Sequence, residues 1–347
     1  MCDLYEDKQI GDISYHCFTK LGKSGKPKPK SEYTVLATIV CNVKNHTNDS
    51  IDTKVVALTT GTKCFASNES SSDDLIVDNH AESLLKRAFK RYLICRLQSG
   101  HNLDDIQTIT LFVSQLPCGS LQRWKGDPDL EANSSKSNRH LSDVCRKPGR
   151  GVTCYRATCL KKIAKWIRLG LQGKALIALT GRPFYINNIV IGNCGQSGEY
   201  DQQMLTNMLS MTDICTVYNG FQMNYLPKIK FCHDFRYECF IKSDAKYATS
   251  TSLVMWLTGD GHKVTEVLTE GHKLGVIVKN RSRNKPLICD SCIHRDIGLL
   301  SCELNDKLTE EYNNQWIELK KCKLFGDWPS VQSLNTSSSN DIHVIYT

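Results

Sequence analysis

The sequence predicts an α/β fold, a layered sheet flanked by helices, with an α+β remainder packed on it. Three observations carry the prediction. Segments rich in β-branched residues recur, among them TVLATIVCNV from Thr34, KVVALTT from Lys54 and IQTITLFVSQL from Ile106. Between the last two, Leu84, Leu85, Ala88, Phe89, Tyr92, Leu93 and Leu97 recur at helical spacing and form one apolar face. Strands then alternate with helices, the order expected of a layered sheet.

Taken in order, Leu4, Ile10, Ile13, Phe18 and Leu21 predict an opening helix, followed by a Lys/Gly/Pro loop. The first two strands turn through Asn45, Asn48 and Asp49. Ala66 to Asp74 is polar and reads as a loop, as does the stretch 127–143, which holds Pro, Ser and Asn and no aromatic. A helix is expected from about Leu160 to Leu171. Further strands are expected in YINNIVIG from Tyr185, KIKFCHDF from Lys228, SLVMWLT from Ser252 and KLGVIVK from Lys273. Helices are expected at 199–210, 292–300 and 305–324, and the Ser- and Asn-rich end after Trp328 reads as a loose tail.

The chain's 347 residues, 40% hydrophobic and 23% charged, exclude disorder, collagen and coiled coil. Its first residues, MCDLYEDKQIGD, are acidic where a secretory signal needs a basic and then an apolar stretch, and nowhere do 18 apolar residues run together. The expectation is a protein of the cytoplasm or nucleus, with no membrane span and its 17 cysteines mostly reduced.

The net charge of +8 is unevenly spread. From Arg146 to Arg168 there are eight basic residues and no acid. Lys86, Arg87, Lys90, Arg91 and Arg96 share one expected helix, and Lys20 to Lys30 carries a third basic set. Such clusters expect phosphate, or they form a solvated helical face.

Three features sit where strands give way to helices: His80-Ala81-Glu82, Pro117-Cys118-Gly119 and Cys159. Helix starts offer unpaired N–H groups and the positive dipole end, which favour a thiolate. One His and two Cys form a three-ligand zinc set that leaves a fourth position for water. Glu82, two residues after its histidine, is suited to shuttle a proton, and this pattern marks zinc nucleobase deaminases. The P-C-x-x-C form is absent, so the second thiolate comes from Cys145, Cys154 or Cys159, with Cys159 preferred for its position at a helix start. Buried structural cysteines are the competing reading.

The chain resembles the adenosine deaminases that act on RNA, and among them the tRNA-specific members that convert an adenosine beside the anticodon of alanine tRNA to inosine. The resemblance rests on Thr60-Gly61-Thr62-Lys63-Cys64, Asp78-Asn79-His80-Ala81-Glu82, Pro117-Cys118-Gly119, Lys147-Pro148-Gly149-Arg150-Gly151, Cys159-Leu160-Lys161-Lys162, Ala164-Lys165-Trp166, Leu169-Gly170-Leu171-Gln172-Gly173 and Phe325-Gly326-Asp327-Trp328. It implies a three-layer cytidine-deaminase-like core sheet, extended at its C-terminal side into one large deaminase domain over residues 1–330, with 331–347 a flexible tail.

By the same resemblance His80, Cys118 and Cys159 bind Zn2+ and Glu82 is the proton shuttle. Thr62, Lys63 and Arg150 line the substrate site. A buried inositol hexakisphosphate is implied, held by Lys86, Arg87, Lys162, Lys165, Trp166 and Lys307, with Asp78 and Lys147 relaying between it and the metal. The implied partner is tRNA, not DNA. The alternatives are a partner-recruited editor of mRNA or double-stranded RNA, and a catalytically silent module that binds RNA or inositol phosphate. The chain departs from the family pattern at Ser120, at Leu160 and Lys161, and at Lys165, where arginine is usual. Cys289-Asp290-Ser291-Cys292 with His294 has metal or redox spacing but no second pair, and reads as structural.

Overall fold

The computed structural model describes residues 7–65, 73–119, 144–146, 153–193, 217–218, 221–222, 226–232, 235–242, 245–300, 305–321 and 328. Six helices stand out: α1 (Asp7–Thr19), α2 (Ala81–Gln98), α3 (Cys159–Leu169), α4 (Lys174–Thr180), α5 (Asp290–Gly298) and α6 (Asp306–Lys320). The main sheet has eight strands: β1 (Leu36–Asn45), β2 (Ser50–Thr60), β3 (Ile106–Val113), β4 (Asn188–Gly192), β5 (Lys228–Cys232), β6 (Thr251–Leu257), β7 (Lys263–Thr269) and β8 (His272–Lys273). Their order across the sheet is β5-β4-β3-β1-β2-β6-β7-β8. Only the β3–β4 and β4–β5 pairings are parallel, so the sheet is mixed.

Successive side chains on a strand point to opposite faces, and this assigns the layers. Thr38 of β1 meets Ser14 of α1 through hydroxyls 2.7 Å apart. Its neighbour Ala37 pairs with Thr59, whose hydroxyl donates to the Ala81 carbonyl at the start of α2. Helices α1 and α2 therefore cover opposite faces, and the expected three-layer α/β core is present. Leu84, Leu85, Ala88, Phe89 and Leu93 of α2 are all buried.

One expected strand is corrected. Of KLGVIVK only Lys273 joins the ladder with β7, next to His272, which lies just before the segment; the chain then turns at Gly275, where φ is +83°, and enters a short 3-10 helix at Val278–Asn280. The pairing strand is β7, joined to β8 by a two-residue turn, Glu270–Gly271, with both φ values positive as a tight hairpin requires. The expected loop at 127–143, helix at 199–210 and tail lie outside the described residues. Among those described, no helix is long and apolar enough to cross a membrane.

Candidate active site

A short antiparallel ladder brings the first ligand into position: Thr62, Lys63 and Cys64 pair with His80, Asn79 and Asp78 in turn. His80 is the N-cap of α2 but its ring makes no capping bond. Asp78 braces the entry to the helix instead. It accepts from the His80 N–H at 3.0 Å and from the Ser83 hydroxyl at 2.9 Å, which leaves the imidazole available as a ligand.

Cys118 follows β3 and Cys159 opens α3. The Cys159 N–H donates to the Cys118 sulfur at 3.2 Å, so an otherwise orphaned helix N–H supports the sulfur. Thr158 caps α3 by accepting from the Lys161 N–H at 3.4 Å. Gly119 is required here because its φ is +95° and a Cβ would come within 2.4 Å of the Thr158 hydroxyl oxygen.

His80 Nδ1, Cys118 Sγ and Cys159 Sγ all lie within 4.8 Å of one another. Nδ1 is 3.2 Å from Cys159 Sγ and 3.4 Å from Cys118 Sγ. Donors around a tetrahedral zinc stand about 3.5–3.8 Å apart, given bond lengths of about 2.0–2.3 Å. Charge points the same way. The Cys159 thiol is pushed well up by burial, then by Cys118, Glu82 and Asp78, and every one of these raises it. A buried crowd of anionic donors is the setting that a divalent cation stabilises, and the residues present fit zinc.

Glu82 lies one residue into α2, fully sequestered, with Oε2 3.3 Å from Cys159 Sγ. Burial first, then Cys118, raises its carboxyl, while His80 opposes. A carboxyl raised in this way holds a proton more readily than an exposed one, which suits it to accept and give one. Burial also acts on Asp78, but the Lys162 ammonium and the His80 ring outweigh it and hold that carboxyl at about 2.

The basic cluster has the opposite character. Lys86 is lowered well below its ordinary value by burial, then by Lys90, Lys165, Arg87 and Lys162, all cations. Lys165 is lowered to about 7 by burial and then by Lys320 and Lys90; its ammonium lies 3.7 Å from the Trp316 ring centroid and 4.9 Å from that of Trp328. Lys86 stands over Trp166 at 5.6 Å. Gly173, with φ at +69°, borders Lys86 and Lys90: a Cβ there would stand in contact with both side chains, 3.4 Å from the Lys86 ammonium. Among the described residues neither Lys86, Lys90 nor Lys165 has a carboxylate at ion-pair distance. A polyanion fits such a cradle, because it would offset the repulsion the lysines impose on one another.

The remaining site residues are dispersed. Arg87 forks onto Asp290 at 2.7 and 2.8 Å and also donates to the Ile288 carbonyl, so it clamps α5. Lys162 is bonded to Asp78 and, at 3.0 Å, to the Ser83 hydroxyl. Lys307 is exposed in the first turn of α6. Lys147 and Arg150 lie outside the described residues. Sequence reasoning left Lys90 and Lys320 out of the cradle. Lys90 follows Lys86 by four residues and so shares its helix face, a readable signal; Lys320 depends on how α6 docks. Cys289 and Cys292 are buried around the start of α5, in keeping with a structural role.

A mixed sheet between helices, carrying a His/Cys/Cys set with a buried glutamate beside it, defines a hydrolytic deaminase. Residues 98–330 match the adenosine-deaminase (editase) domain, and the chain belongs to that family. The match takes in Cys118 and Cys159 but starts after His80 and Glu82, whose part rests on the geometry above. The chain is similar to tRNA-specific adenosine deaminase 1 of Drosophila melanogaster, 24% identical with 91% of this chain and 87% of the relative covered. It is likewise similar to tRNA-specific adenosine deaminase 1 of Schizosaccharomyces pombe, 25% identical with 88% of each covered. Double-stranded RNA-specific editase B2 of Rattus norvegicus is 27% identical, over 45% of this chain and 27% of the relative.

Proposed function

We propose that this chain is a zinc-dependent tRNA adenosine deaminase: adenosine beside the anticodon of alanine tRNA and water give inosine and ammonia. The observation that carries the reading is the convergence of His80, Cys118 and Cys159 with the Glu82 carboxylate beside them. The tRNA-specific names of relatives that align along most of this chain support the choice of substrate.

Zinc held by His80, Cys118 and Cys159 would supply Lewis acidity, bringing the pKa of water towards neutrality. The chain does the rest. Glu82 takes the proton of the attacking water, delivers it to N1 of adenine, and returns a proton to the departing amine at C6. Asp78 holds the His80 backbone, so the ring keeps its aim. Thr62, directly across the ladder from His80, and Lys63 line the approach of the extruded nucleotide, and Arg150 with Lys147 belongs to the loop meeting its phosphates.

Inositol hexakisphosphate is the polyanion assigned to the cradle of Lys86, Lys90, Lys165 and Trp166, joined to the metal site through Lys162 and Asp78. Residues 1–330 form one deaminase domain in this reading; bonds such as that of Tyr237 to Asp12 at 2.8 Å, which tie α1 to distant chain, support it. The protein works in the cytoplasm or nucleus.

The test is incubation of the purified protein with alanine tRNA, other tRNAs and a long RNA duplex, followed by sequencing for inosine and a zinc determination. Inosine at one adenosine of alanine tRNA, with about one zinc per chain as three ligands require, is the expected result. Inosine in the duplex alone would favour the editor of double-stranded RNA, and a zinc-loaded protein without turnover would favour a binding module.

A further inference from the structure

The apolar residues of KLGVIVK do not enter the core. Leu274, Ile277 and Val278 are 43%, 56% and 74% exposed, side by side on the segment that leaves β8. From Lys273 to Lys285 the chain also carries five Lys and Arg and no acid. Lys273 pairs with Glu266 at 3.3 Å and Lys285 with Asp74 at 2.9 Å. Lys279, Arg281 and Arg283 make no ion pair among the described residues, and Lys279 and Arg283 are exposed. An exposed apolar tip followed by unpaired cations marks an interaction surface.

The sheet puts the start of this segment near the chemistry. Thr269, the last residue of β7, pairs with Thr251 at the start of β6, and β6 pairs with the end of β2. Thr62, two residues beyond the end of β2, faces His80. The Glu270–Gly271 turn is therefore at the same end of the sheet as the metal ligands. From β2 to β8 is three strand spacings, about 14 Å. The segment is also held in shape. The Leu274 N–H donates to the Val267 carbonyl of β7 at 2.7 Å, the Asn280 N–H to the Ile277 carbonyl at 2.9 Å and the Arg283 N–H to the Asn280 carbonyl at 3.1 Å, while just before the segment the Gly271 carbonyl accepts from the Ile76 N–H at 3.3 Å.

We propose that the segment Lys273–Lys285 is an RNA-docking surface beside the active site: Lys279, Arg281 and Arg283 contact backbone phosphates, and Ile277 and Val278 lie against ribose. The proposal rests on the tRNA reading above. Charge selects the occupant, because three cations that make no ion pair among the described residues favour a phosphate chain over an acidic peptide of fixed sequence. A surface held in shape before binding loses little ordering entropy on contact.

The test is direct binding of alanine tRNA by the full chain, measured by gel shift from low to high salt, for wild type and K279E/R283E. Both side chains are exposed, so folding should survive, and thermal unfolding checks it. The expected result is an affinity loss of about tenfold or more and a salt slope smaller by about two, one per lost phosphate contact. K44E/K54E, which changes net charge equally at the opposite end of the sheet, should lose much less.

Equal losses in the two variants, or unchanged binding by K279E/R283E, would overturn the proposal. So would an I277S/V278S variant that binds tRNA normally but dissociates a dimer, since the tip would then belong to a protein contact. If wild type forms inosine and K279E/R283E binds as well as wild type, only the docking surface falls. If wild type neither binds tRNA nor forms inosine, both readings fall.

Discussion

The ammonium of Lys162 rests on the carboxylate of Asp78, and this ion pair joins the strand that presents His80 to the basic cluster. Both side chains are largely buried, with 16% and 10% exposure. Removing one partner of a buried pair costs about 3–5 kcal/mol, because the other charge is left behind. Lys162→Met should therefore lower the melting temperature by roughly 10 °C and weaken zinc retention, since Asp78 also holds the His80 backbone. Differential scanning fluorimetry and zinc analysis after dialysis against a chelator check this. An unchanged melting curve with full zinc would separate Asp78 from the metal site.

Glu82→Gln keeps the shape of the side chain and removes its capacity to carry a proton. Inosine formation should fall by about 10²–10⁴, the usual worth of a general acid–base. Zinc content should stay at the wild-type level, and the stability should hold or rise, because a buried carboxyl raised by its surroundings becomes a neutral amide. Single-turnover assays with quantified zinc, and thermal melts of both proteins, measure all three. Activity within threefold of wild type would remove Glu82 from the proton path.

Much of this arrangement is legible in the sequence, for reasons particular to each element. Helix α2 is readable because Leu84, Ala88, Phe89 and Tyr92 keep helical spacing on a buried face. Cys159 is readable because a cysteine at a helix start has a chemical reason to be there. Strand β7 is hidden because its buried positions include Glu266, which accepts from the Leu287 N–H at 2.9 Å and breaks the apolar alternation. KLGVIVK misleads in the opposite sense, since apolar composition alone does not say which side of a surface a residue occupies. The lysine cradle combines α2, α3 and α6, and spacing within one helix cannot reveal convergence among three.

Gly119→Ala should damage the site without touching a ligand. The new Cβ would meet the Thr158 hydroxyl oxygen at 2.4 Å and its Cβ at 2.6 Å, at a φ of +95° that alanine rarely adopts. Strain of this kind costs about 1–3 kcal/mol, and it acts between Cys118 and the cap of α3, where Cys159 begins. The expected result is a lower zinc affinity by competition with a chromogenic chelator, together with a modest loss of stability. Thr158→Ser, which removes the methyl group that crowds the new Cβ at 3.0 Å, should relieve part of the effect.

Lys165 gives the basic cluster a pH signature whose sign can be worked out. Burial, then Lys320 and Lys90, lower its ammonium from the ordinary 10.5 to about 7. Between those values the unfolded chain holds a proton that the folded chain has released, so this lysine makes phosphate-free protein more stable as pH rises from about 7 to about 10.5. Lys165→Met should flatten that rise in a series of denaturant melts. A bound polyphosphate reverses the preference, because its charge holds the ammonium protonated. Binding of inositol hexakisphosphate near pH 8 should then take up protons from solution, and its affinity should fall as pH increases. Titration calorimetry in two buffers of different ionisation enthalpy reads the uptake directly, and Lys165→Met should reduce it by up to about one proton. Equal heats in both buffers, with affinity constant from pH 7 to 9, would mean that Lys165 is charged in the free protein as well, and that the tryptophans around it, rather than a phosphate, stabilise its charge.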